Sequence, residues 1–164
     1  MKIINTDTCV MCGRYVPEGS HVCHICRSIW GVQEVKFEIP GRLPGLNEIV
    51  AAAKSHFGAY AKMKHEHTTA IAWIAKKLPT YKRVALVITW YEPDRRRDPD
   101  NIMAGQKFIL DGLVMAGVIP DDSQKHIQGI VHRFDTDKKN PRVEVEIIEA
   151  GKSLGKFPGQ ELWD

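Results

Sequence analysis

The chain has 164 residues, of which 43% are hydrophobic and 26% are charged, and its formal net charge at pH 7 is +3. This composition is typical of one globular domain with a small appendage, and it excludes a fibrous or disordered protein and a membrane-spanning one. Because the net charge is small, a nucleic-acid site would have to come from locally concentrated basic residues.

All four cysteines lie in the first 26 residues, as two Cys-x-x-Cys pairs: Cys9 with Cys12, and Cys23 with Cys26. Two such pairs separated by a short loop are typical of a structural Zn²⁺ site with four thiolate ligands. Gly13 provides a tight turn directly after the first pair. The alternative is two disulfides, but no signal peptide is recognisable, and we therefore expect a reducing, cytoplasmic location.

The cysteine module is too small to fold by burying apolar surface alone, so its folding free energy is predicted to come from the metal. With four protein ligands the zinc has no open position for catalysis. The module could contact DNA, hold a partner protein or cap the main domain. We predict a zinc-ribbon or knuckle module over residues 1–30, a main domain over 31–150 and a tail over 151–164.

The main domain is predicted to open with a strand over Val35–Ile39, where apolar and charged residues alternate. A helix-rich region over 48–78 follows, and we expect Asn47 to be its N-cap. Residues 83–91 are almost continuously apolar, which indicates a central strand that is covered on both faces.

The central strand leads directly into Arg95-Arg96-Arg97-Asp98-Pro99-Asp100-Asn101. Arginines attract a phosphate backbone, whereas clustered carboxylates repel it unless a divalent cation lies between them. This combination indicates metal-assisted chemistry on nucleic acid. The plainer interpretation is that the acidic residues only cap a helix or line a solvated turn.

A helix is predicted to begin near Ile102, with Asp100 or Asn101 as its N-cap, because Pro99 disfavours a helix before it. Lys107 and Asp111 are one turn apart on its polar face. The residues of its apolar stripe are Ile102, Ile109, Leu110, Leu113 and Ala116. Gly117 suits a left-handed helix end, and Asp121 and Asp122 follow on a loop.

Two further strands are predicted over 126–134 and 142–148, and the turn residues between them indicate a hairpin. The order of strand, helices, strand, helix, strand and strand predicts an α+β domain with a mixed β-sheet covered by helices.

These motifs resemble the RusA family of Holliday junction resolvases over roughly residues 35–149. The matching segments are Asp98-Pro99-Asp100-Asn101, Lys107, Leu110-Asp111-Gly112-Leu113, Ala116-Gly117-Val118-Ile119 and Asp121-Asp122. The resemblance implies a Mg²⁺-dependent endonuclease that acts as a homodimer on branched DNA.

By this resemblance Asp98, Asp100 and Asp122 are the catalytic carboxylates that bind Mg²⁺, and Lys107 is the required lysine. Lys107 lies farther from Asp100 than in the family pattern, as if about one helical turn were inserted.

Other residues are predicted to assist this site. Asn101, Asp111 and Asp121 would support the metal-binding carboxylates, and Arg95, Arg96 and Arg97 would bind DNA phosphates. Two alternatives are a branched-DNA-binding protein with the same fold but little nuclease activity, and a zinc-module DNA-binding regulator whose acidic cluster is structural.

Overall fold

The structure, a computed structural model, describes residues 8–9, 12–16, 23–25 and 34–149. Within 34–149 the elements are β1 (Glu34–Pro40), α1 (Leu46–Ser55), α2 (Ala59–Ala75), β2 (Val84–Glu92), α3 (Pro99–Met103), α4 (Gln106–Met115), β3 (Ile127–Thr136) and β4 (Arg142–Glu149). The four strands form one mixed sheet, and residues of the helices and strands share one buried core, which confirms the predicted α+β class. Cys26 and the tail over 151–164 lie outside the described residues, and the division into three parts stays a prediction.

Strand β2 lies inside the sheet, whose strand order is β1-β4-β2-β3. It runs parallel to β3 and antiparallel to β4, and β1 pairs antiparallel with β4. The first five residues of β2 are all buried, and so are Trp90 and Glu92 near its end. The prediction of a central strand is confirmed, and its nearly continuous apolar sequence follows from burial on both faces.

The predicted hairpin between the last two strands is wrong, because β2 lies between β3 and β4. The loop over 137–141 crosses the end of β2, where the Asp137 N–H donates to the Glu92 carbonyl at 2.8 Å. The turn chemistry is nevertheless present, since Asp137 Oδ1 accepts hydrogen bonds from the N–H groups of Lys139 and Asn140. Turn residues reverse the chain, but they do not determine which strand lies beside the returning one.

The helix that was predicted from Ile102 begins at Pro99 and is divided into α3 and α4. Asp98 is the N-cap, so the expectation of Asp100 or Asn101 in that role is wrong. Proline is well accommodated at the first helical position, where its missing N–H would have no partner. The division lies at Gly105, where a Cβ atom would be 3.2 Å from Trp90 Cη2.

The predicted apolar stripe and helix end are confirmed. The buried residues of the stripe are Ile102, Ile109, Leu110 and Leu113, and Ala116 packs against them from a partly buried position. Gly117 has a φ of 74°, the left-handed conformation that ends many helices. In the described part of the chain, no helix combines the length and apolarity that a bilayer crossing requires.

Helices α2 and α4 approach each other closely at Gly112. A Cβ atom at this position would lie 2.6 Å from Ile71 Cγ2 and 3.3 Å from the Thr68 carbonyl oxygen. Glycine therefore lets the two helices pack closely at this point, and the contact holds α4 against the core.

We expect Gly112→Ala to lower the free energy of unfolding by about 1–2 kcal/mol, because overpacking outweighs the gain in helix propensity. Urea unfolding measures the difference. Gly129→Ala is the matched control, since a Cβ there meets nothing within 4 Å and should change stability little. A Gly112→Ala protein as stable as the control would contradict the close packing.

Candidate functional site

Asp98 and Asp100 lie at the start of α3, six and eight residues after the end of β2. Asp98 has an extended backbone (φ −72°, ψ 150°), and its side chain makes no capping hydrogen bond. Both residues are exposed, and neither side chain has a hydrogen bond or ion pair within the described residues. Two carboxylates with uncommitted oxygens thus stand on a short helix that the buried Ile102 fixes to the core.

The loop before Asp98 is held by Arg97, whose side chain is only 11% exposed. Its Nη1 lies 3.2 Å from Glu92 Oε1, and its Nη2 lies 3.4 Å from Glu48 Oε2. Arg42 Nε donates to the other Glu92 oxygen at 2.8 Å. The Glu92 side chain is 8% exposed, so two guanidinium groups compensate a charge that is almost fully removed from water.

The three predicted DNA-binding arginines therefore have different surroundings. Arg95 and Arg96 are exposed, and Arg96 also lies near the carboxylate of Asp94. Arg97 points inward and holds the loop, so its guanidinium is committed to protein carboxylates in this arrangement. DNA contact by Arg95 and Arg96 stays a prediction.

Asn101 connects α3 to the start of α1. Its Oδ1 accepts a hydrogen bond from the backbone N–H of Asn47 at 3.1 Å. The N-cap of α1 is Gly45, so the predicted capping role of Asn47 is wrong. A side chain at Gly45 would collide with Asn101, since a Cβ there lies 2.6 Å from the Asn101 carbonyl oxygen. This close contact explains why the cap position has no side chain.

Lys107 forms a cluster with three charged neighbours. Its Nζ lies 2.7 Å from Asp111 Oδ1 and 3.6 Å from Asp122 Oδ2, and Lys64 Nζ lies 3.1 Å from Asp111 Oδ2. The predicted proximity of Lys107 and Asp111 is confirmed. The ion pairs link α2, α4 and the loop after α4, so Lys107 is held in place from two sides.

The same contacts shift the pKa values of this cluster. The hydrogen bond to Asp111 raises the pKa of Lys107, which keeps the ammonium group charged. Burial alone would raise the pKa of Asp111, but hydrogen bonds from Lys107 and Lys64 lower it. Asp111 therefore remains a carboxylate and supports Lys107.

Asp121 and Asp122 both lie exposed on the loop after α4. Asp121 Oδ1 accepts the Asp122 N–H at 2.9 Å, and hydrogen bonds from Ser123 and from that N–H lower the pKa of Asp121. Asp121 thus shapes the turn that presents Asp122.

The structure brings Asp122 to Lys107 and Asp111, and it brings Asp98 and Asp100 to one helix start. Among the described histidine, cysteine and acidic residues, the group of three whose ligand atoms all lie within 4.8 Å of one another is Cys9, Cys12 and Cys23. The three predicted catalytic aspartates do not form so tight a set, and their role as one metal site stays a prediction.

Backbone hydrogen bonds form a tight turn around Cys9 and Cys12. The Cys9 N–H donates to the Arg14 carbonyl, and the Gly13 N–H donates to the Cys9 carbonyl at 2.8 Å. Gly13 has a φ of 72°, which fits its predicted place in a tight turn. No disulfide joins Cys9, Cys12 and Cys23 to one another. Cys26, the predicted fourth ligand, lies outside the described residues.

Sequence reasoning missed a polar chain on the core side of the sheet. Trp90 Nε1 donates to His132 Nδ1 at 3.0 Å, so the proton of the neutral ring lies on Nε2, which donates to Gln106 Oε1 at 2.9 Å. Burial lowers the pKa of His132 and favours this neutral form. The chain connects β2 and β3 to the first residue of α4, next to Lys107.

Glu92, Arg42 and Lys64 were also missed. For Glu92 and Arg42 the one sequence signal is the glutamate that directly follows a nearly continuous apolar run, since a buried carboxylate requires cationic partners, whereas Lys64 pairs with Asp111. Nothing in the sequence identifies which of the 23 Lys and Arg residues those partners are.

A comparison with protein families matches residues 47–148 to the model described as Endodeoxyribonuclease RusA. The matched span is well over half of the chain, and it contains every residue of the site from Glu48 to Asp122. The cysteines of the N-terminal region lie outside it. A search of curated proteins finds no match to the chain.

We expect Arg97→Met to lower the free energy of unfolding by about 2–3 kcal/mol, because it removes one of the two cations beside the buried Glu92 carboxylate. The loss is smaller than for a buried charge with a single partner, since Arg42 remains beside Glu92. Urea unfolding measures this effect. Arg96→Met, at a side chain that is 89% exposed, should change stability by less than about 0.5 kcal/mol. Equal losses in the two variants would show that Arg97 does not hold the loop.

Proposed function

The chain belongs to the RusA family of endodeoxyribonucleases, and from this premise we propose that it is a Mg²⁺-dependent, structure-selective endonuclease that resolves Holliday junctions or other branched DNA. The observation that supports this most is the pair of uncommitted carboxylates, Asp98 and Asp100, on a helix start that buried ion pairs hold in place. Rigid support of this kind is what a metal-assisted site requires.

The donor groups fit Mg²⁺. Asp98, Asp100 and Asp122 offer exposed carboxylate oxygens, which are the protein ligands that this ion prefers. When bound, Mg²⁺ would lower the pKa of a water molecule and neutralise charge on the scissile phosphate. Asp122 is close to Lys107, so in the free protein an ammonium group already balances part of the negative charge there.

In this proposal, Lys107 stabilises the negative charge that develops on the phosphate during hydrolysis. Its ammonium group stays protonated because Asp111 accepts its hydrogen bond. Asp111 and Lys64 hold its position, Asp121 shapes the loop of Asp122, and Asn101 fixes α3 to α1.

Substrate binding is assigned to the exposed arginines of the loop before α3. Arg95 and Arg96 would contact phosphates and add affinity that falls with salt and does not depend on sequence. We also propose a homodimer, because symmetric cuts on two strands of a junction require two sites related by a two-fold axis.

The cysteine region is proposed to bind one structural Zn²⁺ through Cys9, Cys12, Cys23 and Cys26. Three of these thiols are already close together, which supports the proposal. A thiolate site suits a reducing compartment, and it fits the cytoplasmic location that we propose.

We expect Asp100→Asn to reduce cleavage of a four-way junction at least about 100-fold, the scale on which losing one charge-stabilising group affects catalysis. The variant should still bind the junction in metal-free buffer. The measurement compares Mg²⁺ with EDTA, and branched with linear duplex DNA, by gel analysis of products.

Glu66→Gln is the matched control, because it removes one exposed carboxylate from α2 and should leave cleavage unchanged. A wild-type protein that binds junctions without cutting them would favour the DNA-binding alternative. Loss of metal-free junction binding in Asp100→Asn would contradict the assignment of Asp100 as a metal ligand.

For the zinc site, we expect elemental analysis of the purified protein to give about one zinc per chain. Cys12→Ser should reduce this content substantially, because three ligands hold the ion less well than four. A zinc-free wild-type protein would contradict the module, and the nuclease assay on the same sample would show whether cleavage needs it.

A further inference from the structure

A cavity of about 270 Å³ lies at the carboxyl ends of the parallel strands β2 and β3, directly beside Asp98. Its lining includes Pro99 and Ile102 of α3, Phe134 of β3, and the charged residues Asp94, Arg95 and Asp135. Pockets for drug-sized ligands measure roughly 300–1,000 Å³, so this slightly smaller cavity has room for a single flat ring. None of the residues proposed above for DNA phosphates or metal explains its apolar part.

Phe134 is the outer ring of a stacked series. Its ring lies 6.5 Å from that of His132 at an interplanar angle of 17°, and His132 lies 6.0 Å from Trp90 at 16°. Hydrogen bonds from Trp90 and to Gln106 fix the orientation of the middle ring. Phe134 is nevertheless 42% exposed, so a rigid aromatic surface is presented to the cavity.

The charges around the cavity are mixed, and the cation among them that can bind a DNA phosphate is the exposed Arg95. Asp94, Asp98 and Asp135 repel an anion, while the Arg97 guanidinium is already paired with Glu92 and Glu48. Asp94 accepts a backbone N–H through Oδ1, and its Oδ2 lies 3.7 Å from Arg96 Nε. Asp135 uses one oxygen to accept a backbone N–H, and an ionised carboxylate has further lone pairs for a second donor. Beside the apolar part of the lining, a neutral ring that carries an amino group fits the acidic rim.

We propose that this cavity receives one unstacked nucleobase of the branched DNA, next to the scissile phosphate, which stacks on Phe134 and donates its amino group to a carboxylate at the rim. The inference rests on the function proposed above. Unpaired bases at a branch point are the ones most easily drawn out of the helix, and aromatic side chains are their usual stacking partners.

The test is a double-mutant cycle that combines a change in the protein, Phe134→Ala, with a change in the DNA, the removal of one base. The abasic site is placed at each nucleotide near the cleavage site in turn, one junction per position. At one position, base removal should slow single-turnover cleavage by wild type about 5- to 100-fold, the scale of base–aromatic stacking. Phe134→Ala should slow cleavage of the intact junction by a similar factor. This variant should then cleave the junction with that abasic site as fast as it cleaves the intact junction.

The matched control is Phe57→Ala, which removes a fully exposed phenylalanine after α1 and should behave as wild type throughout. Phe134→Leu keeps apolar volume without the ring and should lose the same sensitivity, so the test survives poor folding of the alanine variant. Thymine at the sensitive nucleotide should be cleaved more slowly than adenine or cytosine, because it has no amino group.

Independent effects of the two changes at every position would overturn the inference while leaving the nuclease function intact. A Phe134 variant with an altered oligomeric state would also overturn it, since the ring would then lie between two copies of the chain. If junctions with thymine, adenine or cytosine at the sensitive nucleotide were cleaved at equal rates, the carboxylates would have no role in binding an amino group. A wild type that cuts no branched DNA would overturn the proposed function and this inference together.

Discussion

The site depends on the burial of one charge, the carboxylate of Glu92 at the end of the central strand. Removing a carboxylate from water is costly unless cations compensate it, and here Arg42 and Arg97 do so from two different loops. The net contribution of such a pair to stability is small, because desolvation offsets the attraction. Its structural effect is specific: it joins the loop before α1 and the loop before α3 to the sheet. Asp98 is the next residue after Arg97. Because Arg97 is anchored to Glu92, the buried charge also fixes the position of Asp98, the first acidic residue of the site.

The basic residues near the site have separate roles. Arg97 and Lys64 neutralise protein carboxylates and hold the loop and helices in place, whereas Arg95 and Arg96 remain exposed to solvent. Lys107 is intermediate, because it binds Asp111 closely and Asp122 more loosely. A chain with a net charge of only +3 can therefore still present exposed arginines beside an acidic cluster. What matters for a phosphate is which cations are uncommitted, and the composition does not contain that information.

The sequence predicted what local chemistry and periodicity determine. The apolar run of β2, the buried stripe of α4, the glycine at position 117 and the pairing of Lys107 with Asp111 are set by spacing along the chain. The errors concern contacts between distant segments. The helix is divided at Gly105, where the Trp90 ring lies close to the backbone, and the partners of Glu92 come from 50 residues before it and five after. The failed hairpin is of the same kind, since its turn is correct and only the position of β2 was unknown.

The observed strand order, with β2 between β3 and β4, also explains the location of the site. Because α3 and α4 form a crossover between parallel strands, β2 and β3 end at the same edge of the sheet, which is where open sheets with such crossovers present ligand sites. A true hairpin of β3 and β4 would not require β3 to run beside β2. With the observed order, the loop containing Asp98 and the end of β3 at Phe134 line one cavity, although they are far apart in sequence. The loop over 137–141 then crosses behind Glu92 and closes this edge through the bond from Asp137. The route of the chain between the strands therefore brings the acidic residues and the aromatic surface to the same place.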